Sequence, residues 1–138
     1  MEHQWLSGQM FRRLNDALEV AGCRHCRAFA DVGWRISQDT VLRPDLVLVC
    51  DHPSSVHVEQ TPSLVVEILS DSTRHRDLLY KRDMYEKLGV GYYLVIDPAT
   101  SSWTLLKNGD KGFQETGPER LLLAKDCEIS LSLEALFA

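Results

Sequence analysis

Residues 61–98 read TPSLVVEILSDSTRHRDLLYKRDMYEKLGVGYYLVIDP. Two apolar runs, SLVVEILS and GYYLVID, flank a segment with helical spacing. Both runs are nearly continuous, which suits strands covered on both faces. The first is broken by a single charge, Glu67, and the second is stopped by Pro98, which cannot donate to a sheet ladder. Between them, the cluster from Ser70 to Thr73 supplies capping side chains and Gly89 supplies a C-terminal stop. The spacing therefore predicts a helix over 73–88.

On a helical wheel at about 100° per residue, Leu78, Tyr80, Met84, Tyr85 and Leu88 share one arc. His75, Arg76, Arg82, Asp83, Glu86 and Lys87 share the opposite one, with Leu79 out of place among them. Asp77 and Lys81 fall inside the apolar arc. An uncompensated buried ion costs on the order of several kcal/mol, so charges placed there call for partners. Glu67 on the preceding strand is the natural one. The simpler alternative is an exposed pair four residues apart, worth about 0.3–0.5 kcal/mol.

Upstream, RPDLVLVC is another nearly unbroken apolar run, with Pro44 at an edge or bulge and Asp45 at its start. If the two strands are neighbours, Asp45 and Glu67 meet at one end of the sheet. Carboxylates ~4 Å apart repel by about 4 kcal/mol at an effective dielectric of ~20. A shared proton, a lysine or a divalent cation would offset that. Hard oxygen donors suit Mg²⁺ or Mn²⁺, ions that position and activate water, and an ammonium such as Lys81 can stabilise charge developing on phosphorus.

The remaining segments complete an α/β pattern. Leu6, Met10, Leu14 and Leu18 recur every four residues, a helix ended by Gly22. CRHCRAFADVGWRI reads as one extended segment or a hairpin arm. SSWTLLKNGDKGFQE reads as a hairpin turning on Asn-Gly-Asp. LSLEALFA reads as a short closing helix. No repeat or linker divides residues 1–138, so one domain is expected, a mixed central β-sheet flanked by helices.

The net charge of −5 argues against broad attraction to nucleic acid or anionic membrane, yet leaves room for a local basic groove. Residues 1–88 carry 11 Lys and Arg against 13 acids, while 89–138 carry 4 against 7. No stretch approaches the ~18 apolar residues of a membrane span. With no secretory signal pattern at the start, Cys23, Cys26, Cys50 and Cys127 read as reduced thiols in a cytoplasm.

Arg43-Pro44-Asp45 followed by Glu67-Ile68-Leu69 resembles the PD-(D/E)XK nuclease signature. The longer string over 43–98 looks more specifically like the Uma-two family of restriction-endonuclease-like proteins. The likeness extends to the first helix, where His3 matches a histidine that often opens it, and to the closing LSLEALF. The resemblance implies a restriction-endonuclease-like fold and metal-dependent phosphodiester hydrolysis, with DNA as the favoured substrate. It implies Asp45 and Glu67 as ligands of Mg²⁺ or Mn²⁺. Leu69 stands where the common signature has its lysine; in the Uma-two pattern the next helix supplies it, and Lys81 matches that place. Asp77 and Tyr85 match the family's aspartate and tyrosine one turn to either side, as supports. Ser70 and Thr73 match its serine–threonine run. Nucleases of this fold often pair to cut two strands, so analogy admits a homodimer.

Two other readings stand beside the nuclease. A catalytically inactive nucleic-acid- or protein-binding module could keep the same residues for structure. A thiol or zinc protein could centre on Cys23 and Cys26, although CRHC is only half of a zinc site. His25, His52, His57 and His75 form no spacing that suggests nucleophilic catalysis, and Tyr92, Tyr93 and Trp103 read as packing residues.

Overall fold

The computed structural model describes residues 1–51, 58–70 and 77–137. Helix α1 (Glu2–Ala21) buries Leu6, Met10, Leu14 and Leu18. Gly22 ends it in the left-handed region at φ 72°. Its N–H donates to the Glu19 carbonyl, and the Cys23 N–H to that of Leu18. The predicted spacing is the observed stripe.

Six strands form the main sheet, in the order β1 (Cys26–Ala30), β4 (Leu46–Cys50), β5 (Leu64–Ile68), β6 (Tyr92–Asp97), β7 (Ser102–Gly109), β8 (Gly112–Glu115). Every neighbouring pair is antiparallel except β5 and β6. Those two are parallel because α2 (Asp77–Leu88) lies between them in the chain. All five residues of β5 are buried, as its continuous apolar run requires. Short β2 (Trp34–Ser37) and β3 (Thr40–Leu42) pair separately, so the stretch after Cys23 makes two strands in two sheets.

The sheet separates two apolar clusters. Leu64, Val66 and Ile68 of β5 pack with the α1 stripe on one face. Val65 shares the other face with Tyr85 of α2, Trp34 and Tyr93. Alternation along β5 therefore turns Glu67 toward α2.

Four expectations need correction. The hairpin between β7 and β8 pairs Gly109 with Gly112, so it turns on Asp110 and Lys111 rather than Asn-Gly-Asp. Asn108 stays in the strand because its amide donates to the carbonyls of Glu86 and Val90, holding the end of α2. LSLEALFA makes no closing helix: Leu131, Leu133 and Leu136 are buried in a strand-like alternation followed by a turn. Ahead of it lies an unforeseen hairpin of β9 (Leu121–Ala124) and β10 (Cys127–Ile129). Tyr80 is 66 % exposed, because the inward stripe of α2 runs through Leu78, Lys81, Tyr85 and Leu88 and leaves it on the shoulder.

The fourth correction concerns the cysteines, which are paired rather than reduced: Cys23 with Cys127 and Cys26 with Cys50. The second pair faces itself across β1 and β4 in register, and the first ties the end of α1 to β10. All four cysteines are paired, so no reduced thiol is present to point to a cytoplasm or to hold zinc as a thiolate at Cys23 and Cys26. No helix among the described residues is long and apolar enough to cross a membrane.

Candidate active site

Asp45 stands one residue before β4, and Glu67 is the fourth residue of β5. The last ladder pair between these strands is Leu46 opposite Val66. Beyond it, side chains replace the backbone partners. The Asp45 N–H donates to Glu67 Oε1 at 3.2 Å, and the Ile68 N–H donates to Asp45 Oδ2 at 2.7 Å. Each acid thus satisfies an amide beside the other, an obligation that buried backbone must meet. The two carboxyl groups come together because the ladder ends there.

Lys81 reaches the same point from α2. Its Nζ lies 2.7 Å from Glu67 Oε2, and the Tyr85 hydroxyl donates to that oxygen at 3.2 Å. These residues are four apart on one helical face, so both point at a single atom. Glu67 is the one buried charged residue among those described. Burial pushes its carboxyl above the ordinary glutamate range and Asp45's charge adds to this; Lys81 and the Asp45 N–H pull the other way. The Tyr85 phenol is pushed well up by burial and by Glu67's charge, so it stays a donor.

Asp45, Glu67 and Lys81 line one small cavity of about 30 Å³, together with Ile68, Leu69, Leu78 and Tyr93. Leu69 supplies apolar wall where the common signature has lysine. Ser70 lies outside this cavity, lining a neighbouring depression of about 290 Å³ with His3. Asp77 opens α2, but its side chain lies outside the described residues, as do Thr73, His52, His57 and His75.

Two residues that the sequence reading gives no role in the site stand at it, His3, which the family resemblance singles out only as opening the first helix, and Tyr93. His3 Nε2 is 3.1 Å from Asp45 Oδ1, so the first turn of α1 closes the site from the opposite side of the sheet. A signal existed: His3 sits one turn ahead of Leu6 on the buried stripe. Tyr93 reads as packing in the sequence, yet it is one of the residues that line the cavity.

The family description "Uma2: Putative restriction endonuclease" matches residues 1–134. The chain belongs to the Uma2 family. No curated protein matches it. The fold is similar to that in the "Crystal structure of a putative nuclease belonging to DUF820" from Anabaena variabilis ATCC 29413, with a TM-score of 0.71. That likeness has 16 % identity and covers 99 % of this chain and 80 % of the other, so it speaks for the fold. In this Uma2 protein the mixed sheet is accordingly restriction-endonuclease-like.

Whether the Uma2 site suits a divalent cation can be asked of its donors. A carboxylate offers about four lone-pair positions. Asp45 has two engaged and Glu67 three, which leaves hard oxygen donors on both acids. Among the described residues no group of three or more His, Cys, Asp or Glu is placed to hold a metal. Mg²⁺ is commonly bound by one or two carboxylates with water and substrate phosphate completing its shell, and on those terms the residues fit.

Proposed function

We propose that this protein is a metal-dependent nuclease that hydrolyses phosphodiesters, with DNA as its favoured substrate. One observation carries the reading. An ammonium, Lys81, is held at 2.7 Å on a buried glutamate whose neighbour across the strands is a second acid. Asp45 and Glu67 would hold Mg²⁺ or Mn²⁺, which supplies Lewis-acid stabilisation of the phosphate and a more acidic water. In the hydrolysis, a water oxygen bonds to phosphorus as the P–O ester bond breaks, and the proton released passes to solvent or to the departing oxygen. Lys81 stabilises the charge that accumulates on the phosphate oxygens, a role for which a preorganised cation is worth most in a partly dry site. Tyr85 fixes Glu67 and His3 orients Asp45, and the family pattern suggests supporting roles for Asp77 and Ser70. A homodimer would present two such sites to two strands.

The test is a divalent-ion titration followed by calorimetry on the wild type and Asp45→Ala, beside a cleavage assay on single- and double-stranded DNA. Mn²⁺ binding that Asp45→Ala abolishes, with cleavage lost in folded Glu67→Ala and Lys81→Ala, is the expected outcome. Cleavage that survives both substitutions would place the activity elsewhere.

A second reading, a binding module without turnover, draws support from how fully the acids are already hydrogen-bonded. It predicts nucleic-acid affinity that falls with salt and no cleavage with any divalent ion.

A further inference from the structure

Tyr93 is buried to 1 % exposure, yet its hydroxyl oxygen has no hydrogen-bond partner among the described residues. Buried hydroxyls are nearly always paired, because an unmet one costs about as much as a lost hydrogen bond. Packing does not account for it. The ring lies edge-on to Tyr85 at 5.1 Å between centroids and beside Phe113 at 5.9 Å. A phenylalanine would make both contacts. The hydroxyl is the one part of the side chain that the core does not use.

Its position explains it. Tyr93 pairs with Val65 on the parallel neighbour, two residues before the Val95–Glu67 pair, so both side chains leave the same face of the sheet. Tyr93 lines the cavity that Asp45, Glu67 and Lys81 also line. That cavity measures about 30 Å³. A water needs about 10–15 Å³ of such space and two to four polar partners. One fits, and four polar residues surround it.

We propose that Tyr93 is a positioning residue of this site, its hydroxyl donating to a water molecule held on Asp45 and presented to the phosphate. The hydrogen-bond count allows it. The water donates one hydrogen to a lone pair left on Asp45 and accepts one hydrogen from Tyr93, so the single lone pair left on Glu67 stays available to the cation. One lone pair of its oxygen stays free toward the reacting phosphorus. Burial, with the charges of Glu67 and Asp45, pushes the Tyr93 phenol upward, so it remains a donor through neutral pH. The water site stands on geometry alone; its role in attack rests on the nuclease reading.

Tyr93→Phe separates the two, since it keeps the rings and removes only the oxygen. High-resolution crystal structures of wild type and Tyr93→Phe should show an ordered water on the Tyr93 oxygen and its loss or displacement in the variant. Cleavage by the variant should fall roughly ten- to a hundredfold in kcat with KM within about twofold, the pattern of a misplaced nucleophile. Absence of the water from the wild-type crystal, with a variant that melts higher than wild type, shows an orphaned hydroxyl and overturns the proposal. A variant that keeps wild-type kcat overturns the positioning role even if the water is seen. A wild type that cleaves nothing, with the water in place, fails the nuclease reading and removes the attack role while the water site stands.

Discussion

Asp45 and Glu67 close the end of one strand pair for each other: the Asp45 N–H donates to the Glu67 carboxylate, and the Asp45 carboxylate accepts from the N–H that follows Glu67. Two like charges are thus held together by backbone amides that would otherwise lack partners. Lys81 then supplies the opposite charge at 2.7 Å.

Removing that ammonium should be felt in both stability and chemistry. The Lys81 side chain is 35 % exposed and that of Glu67 6 %, so solvent screens part of the pair. After discounting for that, Lys81→Ala is expected to cost about 1–2 kcal/mol in chemical denaturation. On the nuclease reading it also lowers kcat by about 10²–10³. Unchanged stability would mean that the pair contributes nothing in solution.

Glu67→Gln tests the burial of charge through pH. The folded-state pKa of Glu67 is raised, chiefly by desolvation. A carboxyl so shifted adds stability that is fully present below its unfolded pKa and is lost as pH rises through the folded value. The neutral amide carries no such loss. Melting temperatures of Glu67→Gln and wild type should therefore shift in the variant's favour between pH 4 and pH 8. A difference that does not move with pH sinks the idea.

The disulfides give a prediction independent of function. Thiol titration of the denatured, unreduced protein should find no free cysteine, and four would contradict the pairing. The Cys23–Cys127 bridge spans 104 residues and Cys26–Cys50 spans 24. Chain-entropy bookkeeping assigns them about 4.7 and about 3.4 kcal/mol. Replacing the Cys23–Cys127 pair with serines should lower the melting temperature more than replacing the Cys26–Cys50 pair.

His3→Ala probes the contact from α1. Both members of its pair with Asp45 are partly exposed, so the stability cost should stay within about 1 kcal/mol. If His3 orients Asp45 for a cation, Mn²⁺ affinity measured by calorimetry should weaken by about tenfold. Unaltered affinity would make the contact incidental.

Much of this was legible because it is local. The four-residue recurrence in α1, the unbroken apolar runs of β4, β5 and β6, and the place of Lys81 on the inward arc of α2 are all set by neighbours in the chain. Such patterns name elements and faces, and they pointed to Asp45, Glu67 and Lys81 as partners. Tyr80 was misplaced because one helical wheel cannot say where the buried stripe is centred until the opposing sheet is present.

Contacts between distant segments were decided by the tertiary structure alone. The pairing of Cys26 with Cys50 follows from strand register, that of Cys23 with Cys127 from where β10 docks, and the His3–Asp45 contact from the packing of α1 against the sheet. The Tyr93 hydroxyl looked like ordinary packing until its strand was set beside Glu67. Side-chain periodicity depends on a few consecutive residues, whereas register and docking depend on the packing of the whole core. Consecutive residues therefore set the elements and their faces, while the partner each side chain meets depends on the fold.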